Sequence, residues 1–216
     1  MRATLNELAT NLATGKVTAS YLIEDALARI ADEAGEGARA FLKVHASKAR
    51  TAARAADDLR GAGLAPSRFA GIPIAVKDLF DLAGEATPAG SIALADAPPA
   101  GTDAAAVARL KAAGFIVVGR NNMTEFAFSG VGINPHYGTP ANPYDRATGR
   151  IPGGSSSGAA VSVADGMVAA AIGSDTGGSC RIPAALCGIV GYKPTAGTVP
   201  LDGALPLSFT LDSIGP

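Results

Sequence analysis

GGSSSGAAVSVADGMVAAAIGSDTGGS, residues 153–179, sets one glycine-serine run on each side of an apolar segment. The middle reads as a small-residue helix to about Asp165, then an apolar strand from Met167 to Ile172. A single such run is an ordinary turn, because Gly and Ser are common turn residues. Two of them, at the ends of a helix-strand unit, can bring the hydroxyls of Ser155 and Ser179 together from positions 24 apart. Gly177 and Gly178 lack the Cβ atoms that would keep backbone N–H groups from converging on an anion, as an oxyanion hole requires.

Upstream, the texture alternates between short apolar runs and helical periods. Ile72 to Val76 predicts a buried strand, Asp103 to Ala113 a helix stopped by Gly114, and Phe115 to Val118 another buried strand. Downstream, Ile182 to Leu186 follows the glycine-rich turn, and a strand is expected near Val190. The first sixty-odd residues read differently. Thr4 and Glu7 have capping-box spacing, and Thr18 opens a segment in which Ile23, Leu27 and Ile30 recur at helical intervals. A third helix, about Ser47 to Leu59, is Ala- and Arg-rich with a weak apolar face. The expected organisation is a helical layer over residues 1–65, packed on an α/β core over 66–216.

Composition narrows the function. Apolar residues make up 48 % of the 216 and charged residues 17 %, which describes a packed core rather than a disordered chain. A domain of this length buries roughly 70 % of its unfolded surface. The net charge of -1, without a basic run, gives no footprint for nucleic acid. Cys180 and Cys187 have no partners at metal-ligand spacing, so we expect neither a zinc site nor a disulfide framework, and a reduced, cytoplasmic setting. Met1, Arg2 and Glu7 begin the chain without an apolar leader, and the run from Gly158 to Gly173 is broken by Asp165 and too short to span a bilayer.

Several chemistries fail on their motifs. Gly154, Ser156 and Gly158 fit a nucleophile elbow, but that plan needs a histidine after the serine, and His45 and His136 both precede it. His45 reads as packing or surface, and His136 at best as a pocket wall. No phosphate-binding glycine loop, complete dinucleotide fingerprint or H-E-x-x-H motif is present, and no cofactor is implied. The S-x-x-K spacing is also missing, so a serine-lysine mechanism must take its lysine from a distant strand. Lys77 ends the strand 72–76. Taken by itself it reads rather as a surface strand-end lysine in a salt bridge with Asp78 or Asp81.

The ordered set Gly71-Ile72-Pro73, Val76-Lys77-Asp78, Asn122 to Phe126, Gly153 to Ser179, Arg181-Ile182-Pro183, Cys187-Gly188 and Gly191 to Thr195 resembles the amidase-signature family. The resemblance covers about Leu5 to Pro216. It implies an α/β fold around a mixed sheet flanked by helices and a Ser-Ser-Lys triad, carried here by Lys77, Ser155 and Ser179. It also implies oxyanion donors from the backbone amides of Thr176, Gly177, Gly178 and Ser179. Asp175 and Arg181 are expected to pair and hold the nucleophile loop, Cys180 to be a buried filler, and Ser156 and Ser157 to be structural. Met123, Phe126 and Ser129 are candidates for the substrate wall.

Family members are about twice this length, so the chain is expected to be the N-terminal half of a longer domain, its sheet incomplete. The function implied is hydrolysis of a carboxamide C–N bond through a Ser179 acyl-enzyme, with a small-molecule amide as substrate. The alternatives are the amidase-type subunit of a tRNA-dependent glutamine amidotransferase, or an inactive fragment kept for assembly. The partner expected is a second copy or a complementary C-terminal half, with neither nucleic acid nor membrane involved.

Overall fold

The computed structural model describes residues 3–216; Met1 and Arg2, part of the N-terminal reading above, lie outside the described residues. Helix α1 (Leu5–Ala13) starts at Thr4, whose Oγ1 accepts from the Glu7 N–H while the Glu7 carboxylate accepts from the Thr4 N–H, the reciprocal cap the sequence predicts. Helix α2 (Ala19–Ala31) is capped by Thr18 and buries Ile23, Leu27 and Ile30. Its free N-terminal amides at Ala19 and Ser20 are taken by the Asp57 carboxylate of helix α4 (Ala46–Gly61), which locks the two helices together.

Between them lie a short helix α3 (Gly37–Ala40) and strand β1 (Phe41–Val44), where the sequence shows no strand signal. Four residues, of which only Phe41 is fully buried, leave too little alternation to read. Strands β2 (Pro73–Lys77) and β3 (Ile116–Asn121) follow, separated by helix α5 (Ala105–Ala112). Helix α6 (Ser157–Ala164), strand β4 (Ala170–Ser174), helix α7 (Arg181–Cys187) and strand β5 (Ile214–Gly215) complete the chain.

The sheet order is β1-β3-β2-β4-β5. The three inner strands are parallel and the two outer ones antiparallel, so the sheet is mixed. Every residue of β2 is buried, as a central parallel strand covered on both faces must be. Alternation along β2 and β4 divides the core. Ala75 and Ala171 join Ile23, Phe41, Val118 and Val161 on one face, while Val76 and Ile172 join Phe80, Val107 and Met123 on the other. At Gly119 an added Cβ would lie 2.4 Å from the Lys43 carbonyl, so glycine permits the close approach of β1.

Two expectations need correction. The strand expected over Met167 to Ile172 begins at Ala170 and runs to Ser174, because Met167 and Val168 are anchored in the turn after α6 by bonds to the Ser162 carbonyl. No strand forms near Val190, which is 90 % exposed; its apolar neighbours signal only a turn closing onto α7 through the Ile189 to Ala184 bond. No helix among the described residues is long and apolar enough to cross a membrane.

Candidate active site

Parallel β2 and β4 bring their C-terminal ends to one edge of the sheet, where side chains from separate strands can converge. Lys77 is the last residue of β2 and Ser174 the last of β4. Lys77 Nζ lies 2.6 Å from Ser155 Oγ and 2.9 Å from Ser174 Oγ. Both Lys77 and Ser155 are 0 % exposed. The peptide joining Gly154 to Ser155 is cis.

No carboxylate pairs with Lys77 among the described residues. Asp78 instead pairs with Arg120 at 2.6 Å, and Asp81 accepts the Thr87 hydroxyl, so the strand-end salt bridge left open by the sequence does not form. A buried ammonium lacking a counter-ion loses its hydration without replacement, which favours the neutral amine. Burial accordingly brings the Lys77 pKa down from 10.5 to about 7, against the weaker opposing pulls of Cys180, Asp175 and Asp212. Cys180 is itself pushed up to about 11 by burial, so its thiol is neutral beside the lysine at neutral pH.

The loop after β4 carries Ser179. It is held from within by Asp175, whose carboxylate accepts from the Cys180 and Arg181 N–H groups and from the Arg181 guanidinium at 2.9 and 3.0 Å. Burial works against that carboxylate, yet Arg181 and the two amides outweigh it and hold its pKa below the ordinary value. From outside, Asp212 accepts the Thr176 hydroxyl through one oxygen and the Leu207 and Ser208 N–H groups through the other. The Ser156 N–H donates to the Ser179 carbonyl at 3.2 Å, tying the two glycine-serine segments together.

The N–H groups of Thr176, Gly177, Gly178 and Ser179 have no internal acceptor among the described residues. Gly178 adopts φ +141°, and a Cβ there would meet Ile182 at 2.7 Å, so this loop shape requires glycine. Ser179 is 7 % exposed and its hydroxyl has no hydrogen-bond partner among the described residues. It is thus free to meet a ligand, whereas the Ser155 hydroxyl is engaged by Lys77. A cavity of 300 Å³ lies beside Ser174, walled by Leu79, Ala127, Leu205, Leu207 and Phe209, with Asp212 at its edge.

Other candidates fall outside this cluster. Ser156 and Ser157 direct their hydroxyls to the backbone carbonyls of Ser174 and Asn122. Met123 is fully buried in the core and offers no surface to a substrate. Phe126 lines an adjoining pocket that shares Pro206 and Leu207 with this cavity, while the Ser129 hydroxyl accepts the Val131 N–H. His45 bonds Glu85, and His136 bonds Glu125. Among the described residues no group of three or more His, Cys, Asp or Glu is gathered as a metal site. Ser174 and Asp212 are the residues sequence reasoning missed. The position of Ser174 at the end of β4, level with the end of β2, was the available signal for the first; Asp212 gave none, since it reaches Thr176 across 36 residues.

Comparison with known proteins places these features in a lineage. Residues 21–216 match the Amidase family. The chain is 46 % identical over 215 residues to a glutamyl-tRNA(Gln) amidotransferase subunit from Anaeromyxobacter sp. (strain K), covering 100 % of this chain and 43 % of the relative. It is 44 % identical over 210 residues to the AtzE subunit of 1-carboxybiuret hydrolase from Pseudomonas sp. (strain ADP), covering 97 % of this chain and 45 % of the relative. The crystal structure of native peptide amidase from Stenotrophomonas maltophilia superposes with a TM-score of 0.89 at 38 % identity, covering 100 % of this chain and 45 % of that one. The chain therefore spans less than half the length of these relatives.

Proposed function

The chain belongs to the amidase-signature family of hydrolases, and from that premise we propose that the protein cleaves a carboxamide C–N bond through an acyl-enzyme on Ser179. The observation that carries this reading is the buried Lys77 amine, without a counter-ion, at 2.6 Å from Ser155 Oγ. An amine with a pKa of 10.5 is neutral in about one molecule in three thousand at pH 7; at about 7 it is neutral in about half. Burial thus supplies roughly three orders of magnitude in available base.

In the proposed sequence Lys77 takes the proton of Ser155 while Ser155 takes that of Ser179, and Ser179 Oγ adds to the amide carbon. The carbonyl π electrons move onto oxygen, and the N–H groups of residues 176–179 receive the oxyanion. On collapse the C–N bond breaks, and Ser155, resupplied by the Lys77 ammonium, protonates the departing nitrogen. Water then repeats the addition on the ester, giving a carboxylate and restoring Ser179. The N-terminal helical layer, residues 1–65, would serve as support for this core.

A second reading keeps the same chemistry but takes glutamine as the amide and delivers ammonia to a partner protein; the 46 % identity to part of an amidotransferase favours it. Two of the three named relatives are subunits, which supports assembly with another chain. Incubating the full-length protein with primary carboxamides and glutamine, while following ammonia and a fluorophosphonate adduct by mass, tests both. Ammonia release with the adduct on Ser179 is expected. An adduct on another serine would contradict the assignment.

A further inference from the structure

A second pocket, of 560 Å³, lies over the segment that follows β3 and is lined by Thr124, Glu125, Phe126, Phe128, Ile133 and Leu207 among others. Its floor joins the serine segment directly: the Thr124 N–H donates to the Ser155 carbonyl at 3.0 Å, and the Gly154 N–H donates to the Gly130 carbonyl at 2.8 Å. The next residue, Glu125, is the one carboxylate of the lining. Its Oε1 accepts the Ser91 hydroxyl at 2.6 Å and lies 2.9 Å from His136 Nε2, while its Oε2 has no partner among the described residues. Among those residues no lysine or arginine pairs with it. Its side chain remains 33 % exposed.

The backbone is shaped to present this group. Phe126 and Ala127 both have positive φ, 51° and 60°, a strained conformation for residues with a Cβ. The Phe126 N–H is anchored on the Ala89 carbonyl and the Ala127 N–H on the Thr124 carbonyl. Ser91 and His136 engage one carboxylate oxygen and leave the other without a partner among the described residues, in a pocket whose other lining side chains, Thr124 apart, are apolar. Phe128, 81 % exposed, adds an aromatic face open to solvent.

A fixed carboxylate with a free oxygen, flanked by aromatic rings, is the chemistry that holds an organic cation. We propose that Glu125 is a specificity-determining residue, and that the amide substrate carries an ammonium or similar cationic group that seats on Glu125 Oε2 against Phe126 and Phe128. The inference rests on the amide-hydrolase reading for the rest of the substrate, but the pocket's preference for a cation can be read without turnover.

The test is calorimetric binding to full-length Ser179→Ala protein. The ligands are a series of ω-aminoalkanamides, each paired with the alkanamide in which a methyl replaces the ammonium. At the best chain length the cationic member should bind at least tenfold more tightly. Glu125→Gln, which keeps the hydrogen bonds and removes the charge, should erase that preference without weakening the neutral member. Glu125→Asp should retain the preference and shift the optimum to a longer chain. If Glu125→Gln does not fold, Phe128→Leu should still reduce the preference. Equal affinities for the two members of every pair, or equal losses for both in Glu125→Gln, would overturn the proposal. A cation preference in a wild type that hydrolyses none of the amides would instead sink the hydrolase reading alone.

Discussion

Lys77 Nζ and Ser155 Oγ stand 2.6 Å apart in a space from which solvent is excluded on both sides, each residue being 0 % exposed. Among the described residues the amine bonds two hydroxyls and pairs with no carboxylate. Such an environment removes the reason for the lysine to be charged and leaves its lone pair available to a hydroxyl proton.

Ser155→Ala should lower amide turnover by about a thousandfold or more, because it removes the hydroxyl that bonds Lys77 and that the proposed proton path places between Lys77 and Ser179. Ser174→Ala should cost less, roughly fivefold, since it removes one neutral hydrogen bond from Lys77, worth about 1 kcal/mol, and leaves the Ser155 contact intact. Steady-state kinetics of the two variants check the order. Equal losses would mean that Ser155 only positions the lysine.

Thr176→Val should lower kcat by roughly tenfold with little change in KM, because the Asp212 clamp on the loop of N–H donors is released while the ground-state pocket remains. A rise in KM at constant kcat would show that the clamp serves binding instead.

The neutral lysine also leaves a mark on stability. Between the native pKa of about 7 and the unfolded value of 10.5, the unfolded chain holds a proton at Lys77 that the native protein has largely lost. More protons on the unfolded state means that stability rises with pH in this window, and that the cost is fully present below it. Lys77→Met, which has nothing to titrate, should therefore be more stable than wild type at pH 7. Urea unfolding should show wild type recovering about 2 kcal/mol relative to this variant between pH 7 and pH 9. Parallel stability curves would indicate a lysine that stays charged when buried.

Much of this arrangement is legible in the sequence, for identifiable reasons. The caps at Thr4 and Thr18, the apolar runs at 72–76 and 115–118, and the glycine-serine segments are local signals, each written within a few residues, although β3 starts at Ile116, runs on to Asn121 and leaves Phe115 and Val117 half-buried. Strand β1 escapes because it is too short to alternate, and β5 because two residues make no pattern. Val190 misleads because apolar character near a helix end resembles a strand until exposure is known. The long-range polar links, Ser174 to Lys77, Asp212 to Thr176 and Arg120 to Asp78, depend on which strand ends the topology places side by side. Met123 reads as a pocket residue beside Thr124, but the chain direction after β3 turns it into the core.

Whether Lys77 acts as a base can be read from the pH dependence of Ser179 acylation. For the full-length protein treated with a fluorophosphonate, the acylation rate should rise with pH through about 7 as Lys77 loses its proton, and then level. Lys77→Arg keeps a positive charge and hydrogen-bond donors but cannot give up its proton at these pH values. It should therefore lose most of the rate, as Lys77→Ala does, and the rise near pH 7 should vanish in both. Near-normal acylation by Lys77→Arg would contradict the account, since it would mean that position 77 acts through its charge and that the proton of Ser179 leaves by another route.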